Sequence, residues 1–378
     1  MKKFLSRMLT VVLLVCICSV GLFGITASAE EKHTEGYYTY TVENGVATIV
    51  SADKSIYGDI IIPSTLGGYP VQTIGISAFW WNDNLTKVTI PNTVTKIGEH
   101  SFEHCSNLTE IEIADSVKQI GDAAFWNCSN LSKINIPPSV ESIGGAAFRG
   151  CESITEIIIP KSATKIKGAA FDECSFLENV YIEDIAAWYK IDFDDTVSNP
   201  LCNGANLYLN GNLVEDLIVP ENITRISDNA FYGCNSIKTI TIPDSVVRIG
   251  RDAFSVFNDL REVNIGKGIE TLEYHTFAVQ NIDNLIINPT LKTMDANAFG
   301  NCKIEKVTFN GTLSEWEEMP YTQNKAFAKA EIVCVVENTK NVNSNMLWII
   351  IAIAAVVVVA GGVTAIILIK KGKAKVAE

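Results

Sequence analysis

Histidine is scarce in this 378-residue chain, with four in all. No Cys-x-x-Cys and no His-Glu-x-x-His occurs, so the spacings of the common zinc sites are missing. There is also no Gly-x-Ser-x-Gly and no phosphate-cradling glycine loop, which removes the usual nucleophile elbow and nucleotide site. Basic residues are outnumbered, 30 Lys and Arg against 43 Asp and Glu, for a net charge of −13. Such a surface repels phosphate backbones, and nucleic acid is excluded as an expected partner. These absences lead to the expectation of a protein that is not an enzyme, with no cofactor and no metal.

What the chain does have is a period. Phe79, Phe102, Phe125, Phe148 and Phe171 recur every 23 residues without drift. The same register returns at Phe231, Phe254 and Phe277 and slips by one at Phe299. A fixed period of this length marks a solenoid, in which each repeat buries its apolar face on its neighbours.

One rung can be read from residues 108–125. Leu108, Ile111 and Ile113 alternate with Glu110 and Glu112, the pattern of a short half-buried strand. Ala114 is replaced by proline at Pro91, Pro137, Pro160, Pro220 and Pro243, which ends the strand because proline has no N–H for the ladder. Val117 and Ile120 then point inward, Gly121 is read as a tight turn, and Ala124 and Phe125 insert into the core.

The phrase Leu-x-x-Ile-x-Ile-Pro-x-Ser-Val-x-x-Ile-Gly-x-x-Ala-Phe-x-x-Cys resembles the BspA-like leucine-rich repeat of bacterial and protist surface proteins. The resemblance covers roughly residues 60–335 and nine repeats. It implies a curved, β-rich leucine-rich-repeat solenoid, and it implies surface display with adhesion or protein binding.

Taken in order, residues 1–29 read as a secretory signal: Lys2, Lys3 and Arg7, an apolar run, then Ala27-Ser28-Ala29. Residues 30–75 read as an N-terminal cap and first rung, with Asn44-Gly45 between two alternating runs, a strong hairpin signal. Repeat block 1 spans 76–184 and repeat block 2 spans 212–308. Each is followed by an irregular module, 185–211 and 309–336, with a Trp, an Asn and an Ala in common: Trp188, Asn199 and Ala205, then Trp316, Asn324 and Ala330. Sequence leaves open whether the first module lies in the stack or loops out of it. A polar linker, 337–345, precedes an uncharged apolar run, 346–369. That run is about 36 Å long as a helix and is expected to span a membrane. The lysines of the tail, 370–378, favour a cytoplasmic end. The expected whole is a single-pass protein of the cell membrane, held there by its C-terminal helix, with an extracellular N-terminal ectodomain.

Of ten cysteines, Cys16 and Cys18 fall in the signal. Cys105, Cys128, Cys151, Cys174, Cys234 and Cys302 each follow a repeat Phe by three residues. Secretion favours disulfides, but equivalent atoms on adjacent rungs lie about 4.8 Å apart. A disulfide wants Cβ atoms about 3.8 Å apart. A column of buried free thiols is therefore the expectation, with Cys202 and Cys334 left open.

Candidate sites lie on the surface columns. Lys87, Glu110, Lys133 and Glu156 stand on successive rungs, beside Thr89, Glu112, Asn135, Ile158 and Tyr181. They read as a charge-alternating ladder that keeps a solvated face in register, or as a ligand platform running from charged to apolar. Trp80, Trp81 and Trp126 form an aromatic edge suited to sugar rings or a protein anchor, or to packing between loops. His100 and His104 flank Cys105 but occupy the loop positions of Ala123 and Asn127 one rung on. The expected partner is an extracellular protein or, alternatively, a glycan, with a cell-wall-associated scaffold as the second reading.

Overall fold

The computed structural model describes residues 31–336. The chain winds into a β-solenoid of about 13 turns. Each turn gives one strand to a front sheet and, where the turn is regular, a two-residue strand to a rear sheet. The front strands are Gly58–Ile61, Leu85–Thr89, Glu110–Glu112 and Lys133–Asn135, then Glu156–Ile158, Asn179–Ile182 and Asn206–Leu209. A third group runs from Asp216–Ile218 to Glu331–Cys334. Neighbouring rungs pair parallel and in register, as in Lys87↔Glu110↔Lys133 and Val88↔Ile111↔Ile134.

At the N-terminal end, Tyr38–Glu43 and Val46–Ala52 form an antiparallel hairpin that heads the rear sheet. Its turn residues Asn44 and Gly45 both have positive φ, 52° and 77°. That is the turn whose twist suits a two-residue hairpin.

The core is a column of rings. Phe102, Phe125 and Phe148 are fully buried and stack at 5.4 and 5.5 Å, within 7° of parallel. The repeat thiols are buried beside them, and the four of block 1 donate to the Phe carbonyl one rung back, as Cys128 does to Phe102 and Cys151 to Phe125, both at 3.1 Å. All eight described cysteines are free. The serine of the repeat phrase has a matching role. Ser116, Ser139 and Ser162 donate to the carbonyls of Val94, Val117 and Val140, each at 2.6 Å.

Gly121 does open a tight turn, with Ala124 N–H donating to its carbonyl at 3.3 Å, but the turn does not use glycine's conformational freedom. Its φ is not positive. Instead, a Cβ there would sit 2.6 Å from the backbone carbon of Gly98, and one on Gly144 would sit 2.3 Å from that of Gly121. These glycines let stacked backbones approach, a second use of the missing side chain. The left-handed conformation falls on other residues, two before each Phe: Ser77, His100, Ala123, Ala146 and Ala169, with φ from 52° to 58°. This conformation costs a non-glycine residue roughly 1–2 kcal/mol. It aims alternate N–H groups along the stack, so that Ala123 donates to Gly145 and Phe125 to Ala147, at 2.7 and 2.8 Å.

The first irregular module lies in the stack. Asp192–Phe193 extends the rear sheet beside Lys165–Ile166, and Asn206–Leu209 extends the front sheet beside Asn179–Ile182. Trp188 is buried, and its indole N–H donates to Ala230 O at 2.9 Å. In the second module Thr312 and Glu315 form a capping box on Leu313–Glu318, which buries Trp316.

The expectation of a C-terminal transmembrane helix, and with it a single-pass cell-membrane location, is corrected. Among the described residues no helix is long and apolar enough to cross a membrane. The α-helices Ile185–Trp188 and Leu313–Glu318 have four and six residues, against about 20 for a span. Each serves instead to bury one tryptophan against the stack. The run 346–369, the tail and the signal segment lie outside the described residues.

Candidate functional site

Strand pleating sends alternate residues to opposite faces, so Lys87, Thr89, Glu110 and Glu112 all reach the outer side of the front sheet. Lys87 Nζ lies 2.7 Å from Glu110 and 2.6 Å from Glu112. Lys133 reaches the other oxygen of Glu110 at 3.4 Å, and Thr89 donates to Glu112 at 2.9 Å. Hydrogen bonds from Lys87 hold both carboxyls below the usual glutamate range and raise the ammonium in return. Asn135 and Glu156 follow on the same face, both exposed.

Beyond them the face turns apolar. Ile158 is 44% exposed and pairs in register with Tyr181. Tyr181 pairs with Tyr208, and the two rings stack at 4.9 Å. Tyr208 in turn pairs antiparallel with Leu213, itself 44% exposed, across a turn at Asn210 and Gly211. Sequence reasoning missed Tyr208 and Leu213. They lie in and just beyond the irregular module, where the 23-residue period no longer says which residue continues the column.

The aromatic edge is open at Trp80 and Trp81. Trp80 and Trp81 are about half exposed and meet edge to face at 6.1 Å. Trp81 stacks on His104 at 4.3 Å, and Trp126 lies on the far side of His104 at 6.1 Å. The Arg149 guanidinium sits 5.8 Å from the Trp126 ring. Beneath these rings the buried Glu103 takes His100 Nδ1 at 2.7 Å and faces His104 Nε2 at 3.6 Å. The histidines are therefore tied to a carboxylate, while Cys105 turns inward to Phe79 O at 3.2 Å. Among the described residues no cluster of His, Cys, Asp or Glu is arranged to hold a metal.

The sequence model of a family described as BspA type leucine rich repeat region matches six copies, over residues 72–196 and 204–329. No curated protein matches. Among solved structures, a leucine-rich repeat protein of T. pallidum is 23% identical. That match covers 60% of this chain and 89% of the other, with a TM-score of 0.41. A leucine rich cell surface protein of Faecalibacterium prausnitzii is 25% identical over 76% of this chain and 97% of its own, with a TM-score of 0.40. A leucine-rich repeat protein from Bacteroides ovatus is 24% identical over 74% of this chain and 86% of its own, with a TM-score of 0.38.

Proposed function

We propose that this chain, which belongs to the BspA type leucine-rich repeat family, is a non-enzymatic extracellular surface protein that binds another protein, in adhesion or a related contact, through its front strand face. The observation that carries this reading is the outward patch of Ile158, Tyr181, Tyr208 and Leu213 on a sheet whose neighbouring rungs are charged and mutually paired. Exposed apolar surface rimmed by polar residues marks interaction sites. Tyrosine is among the residues that dominate binding energy when desolvated at an interface centre. The Lys87, Glu110 and Glu112 ladder beside it supplies a polar rim and fixes register rather than affinity.

The test is a screen of the full chain against extracellular proteins, repeated with Tyr181→Ala plus Tyr208→Ala. Saturable binding that falls at least tenfold in the double variant supports the reading. Binding unaffected by the pair would end it. A second reading, glycan binding, is favoured by the half-exposed, mutually perpendicular Trp80 and Trp81. It predicts glycan-array signals lost with Trp80→Ala plus Trp81→Ala and indifferent to the tyrosines.

A further inference from the structure

The apolar patch on the front face is a column one residue wide. Ile158, Tyr181, Tyr208 and Leu213 follow one another on consecutive paired strands. Ile218, 70% exposed, opens the same column in the next group of strands. The strands under the two tyrosines, Asn179–Ile182 and Asn206–Leu209, are each paired on both sides. Strand addition therefore has no free edge at the centre of the patch, and a partner meets side chains.

The spacing along the column selects the partner's shape. The Tyr181 and Tyr208 rings lie 4.9 Å apart, close to the strand spacing of about 4.8 Å. A helix laid along the stack returns a residue to one face every turn, about 5.4 Å, whereas an extended segment does so every 6.6–6.8 Å or about that. Over the four steps from Ile158 to Ile218, a helix drifts by about half a rung and an extended segment by about a rung and a half.

The charge beside the column is of one sign. Across the five front strands from Glu156–Ile158 to Asp216–Ile218, the charged side chains are Glu156 and Asp216. They stand at the two ends, with Asn179 and Asn206 between them. The residues leading into these strands add Glu178 and Glu215 and no cation. Just beyond the strands come one lysine, Lys161, and three acids, Glu183, Asp184 and Glu221. The lysines of the flanking rungs are engaged elsewhere, Lys133 on Glu110 at 3.4 Å and Lys238 on Glu215. Among the described residues, Glu156 and Asp216 have no ion-pair partner.

We propose, on the basis of the front-face reading, that this column receives one amphipathic helix of a second protein. The apolar stripe of the helix lies on Ile158, Tyr181, Tyr208 and Leu213, and its lysines or arginines lie beside that stripe, on Glu156 and Asp216. The unpaired carboxylates steer the approach and set the register, while the tyrosines hold the helix once desolvated.

The test measures three synthetic peptides of about 18 residues, five helical turns, against the full chain. One carries leucines at helical spacing with lysines beside them. The second has the same leucines with glutamates, and the third alternates leucine and lysine. The lysine helix should bind saturably, and the other two about tenfold more weakly or worse. Glu156→Lys plus Asp216→Lys should reverse the preference between the two helices. The melting temperature should not move, because neither carboxylate has an ion pair to lose. Tyr181→Ala plus Tyr208→Ala should weaken the lysine helix about tenfold, which general attraction to a chain of net charge −13 would not show. Equal binding of both helices, lost together with the tyrosines, would overturn the cationic helix and leave the front-face reading standing. Lysine-helix binding indifferent to the tyrosines, tighter binding of the alternating peptide, or no binding at all would also overturn the proposal. The screen of extracellular proteins, which uses none of these peptides, then decides the front-face reading by itself.

Discussion

Ala169 donates its N–H to both carboxylate oxygens of Asp195, at 3.3 and 3.2 Å. In every other rung of the block, the amide at this position donates to a carbonyl of the next rung, as Ala146 does to Gly168 at 2.9 Å. Ala169 is on the last rung, and a carboxylate stands where the next carbonyl would be. Gly168 N–H meets Asp194 at 3.3 Å in the same way. At the opposite end of the block the Lys54 ammonium donates to Trp80 O. Aligned peptide groups make the corner column an elongated dipole, and its ends take the same charges as the ends of a helix. Block 2 begins with neutral donors, Trp188 and Asn199, on Ala230 O at 2.9 and 3.0 Å.

Removing the Asp195 cap should therefore loosen the end of block 1. Asp195 also caps the short helix Thr196–Ser198, so Asp195→Ala should cost about 1–2 kcal/mol. Asp195→Asn, which keeps one acceptor, should cost less. Urea unfolding of the two variants checks the order.

Phe125 is fully buried between Phe102 and Phe148. Phe125→Ala should cost about 3–5 kcal/mol through lost burial and a residual cavity. Hydrogen exchange should show the adjoining rungs loosening first, since coupling runs between nearest neighbours. An unchanged urea midpoint would contradict the ring column.

Gly121→Ala should also destabilise, by about 1–3 kcal/mol of overpacking, because the new methyl would meet Gly98 and Glu99 backbone atoms at 2.6 Å. Gly145→Ala is the control. Its nearest neighbour, Gly168 O, is 3.2 Å away, and the melting temperature should move much less.

Burial raises the repeat thiols: Cys105 and Cys302 are pushed up to about 12, and Cys128 and Cys151 well above the ordinary 9. A folded chain that holds its thiol protons while the unfolded chain releases them loses stability as pH rises. This contribution should be complete below about pH 9 and should fade as pH climbs toward 12. Urea midpoints at pH 8 and pH 10 test it. Iodoacetamide should label these cysteines only on unfolding, and a disulfide between neighbouring rungs would sink the thiol column.

The sequence by itself determined the repeat and most of the core. A period of 23 residues places Phe, Cys, Val and Ile at fixed points of every rung, and apolar residues at such points can be buried only by stacking. The outward columns of Lys87, Glu110 and Lys133 were legible for the same reason, since in-register parallel strands align equivalent positions. What the tertiary structure decided lies where equivalence fails. Gly121 reads as a turn in one rung and is also a point of contact between two. Tyr208 joins Tyr181 because the irregular module stays in the front sheet, while the same module leaves the rear sheet broken beside Tyr189. Both outcomes depend on contacts between residues some 25 to 40 positions apart, made after the period has lapsed. Local alternation and propensity carry no information about them, because each rung's path is set by the rung it lands on.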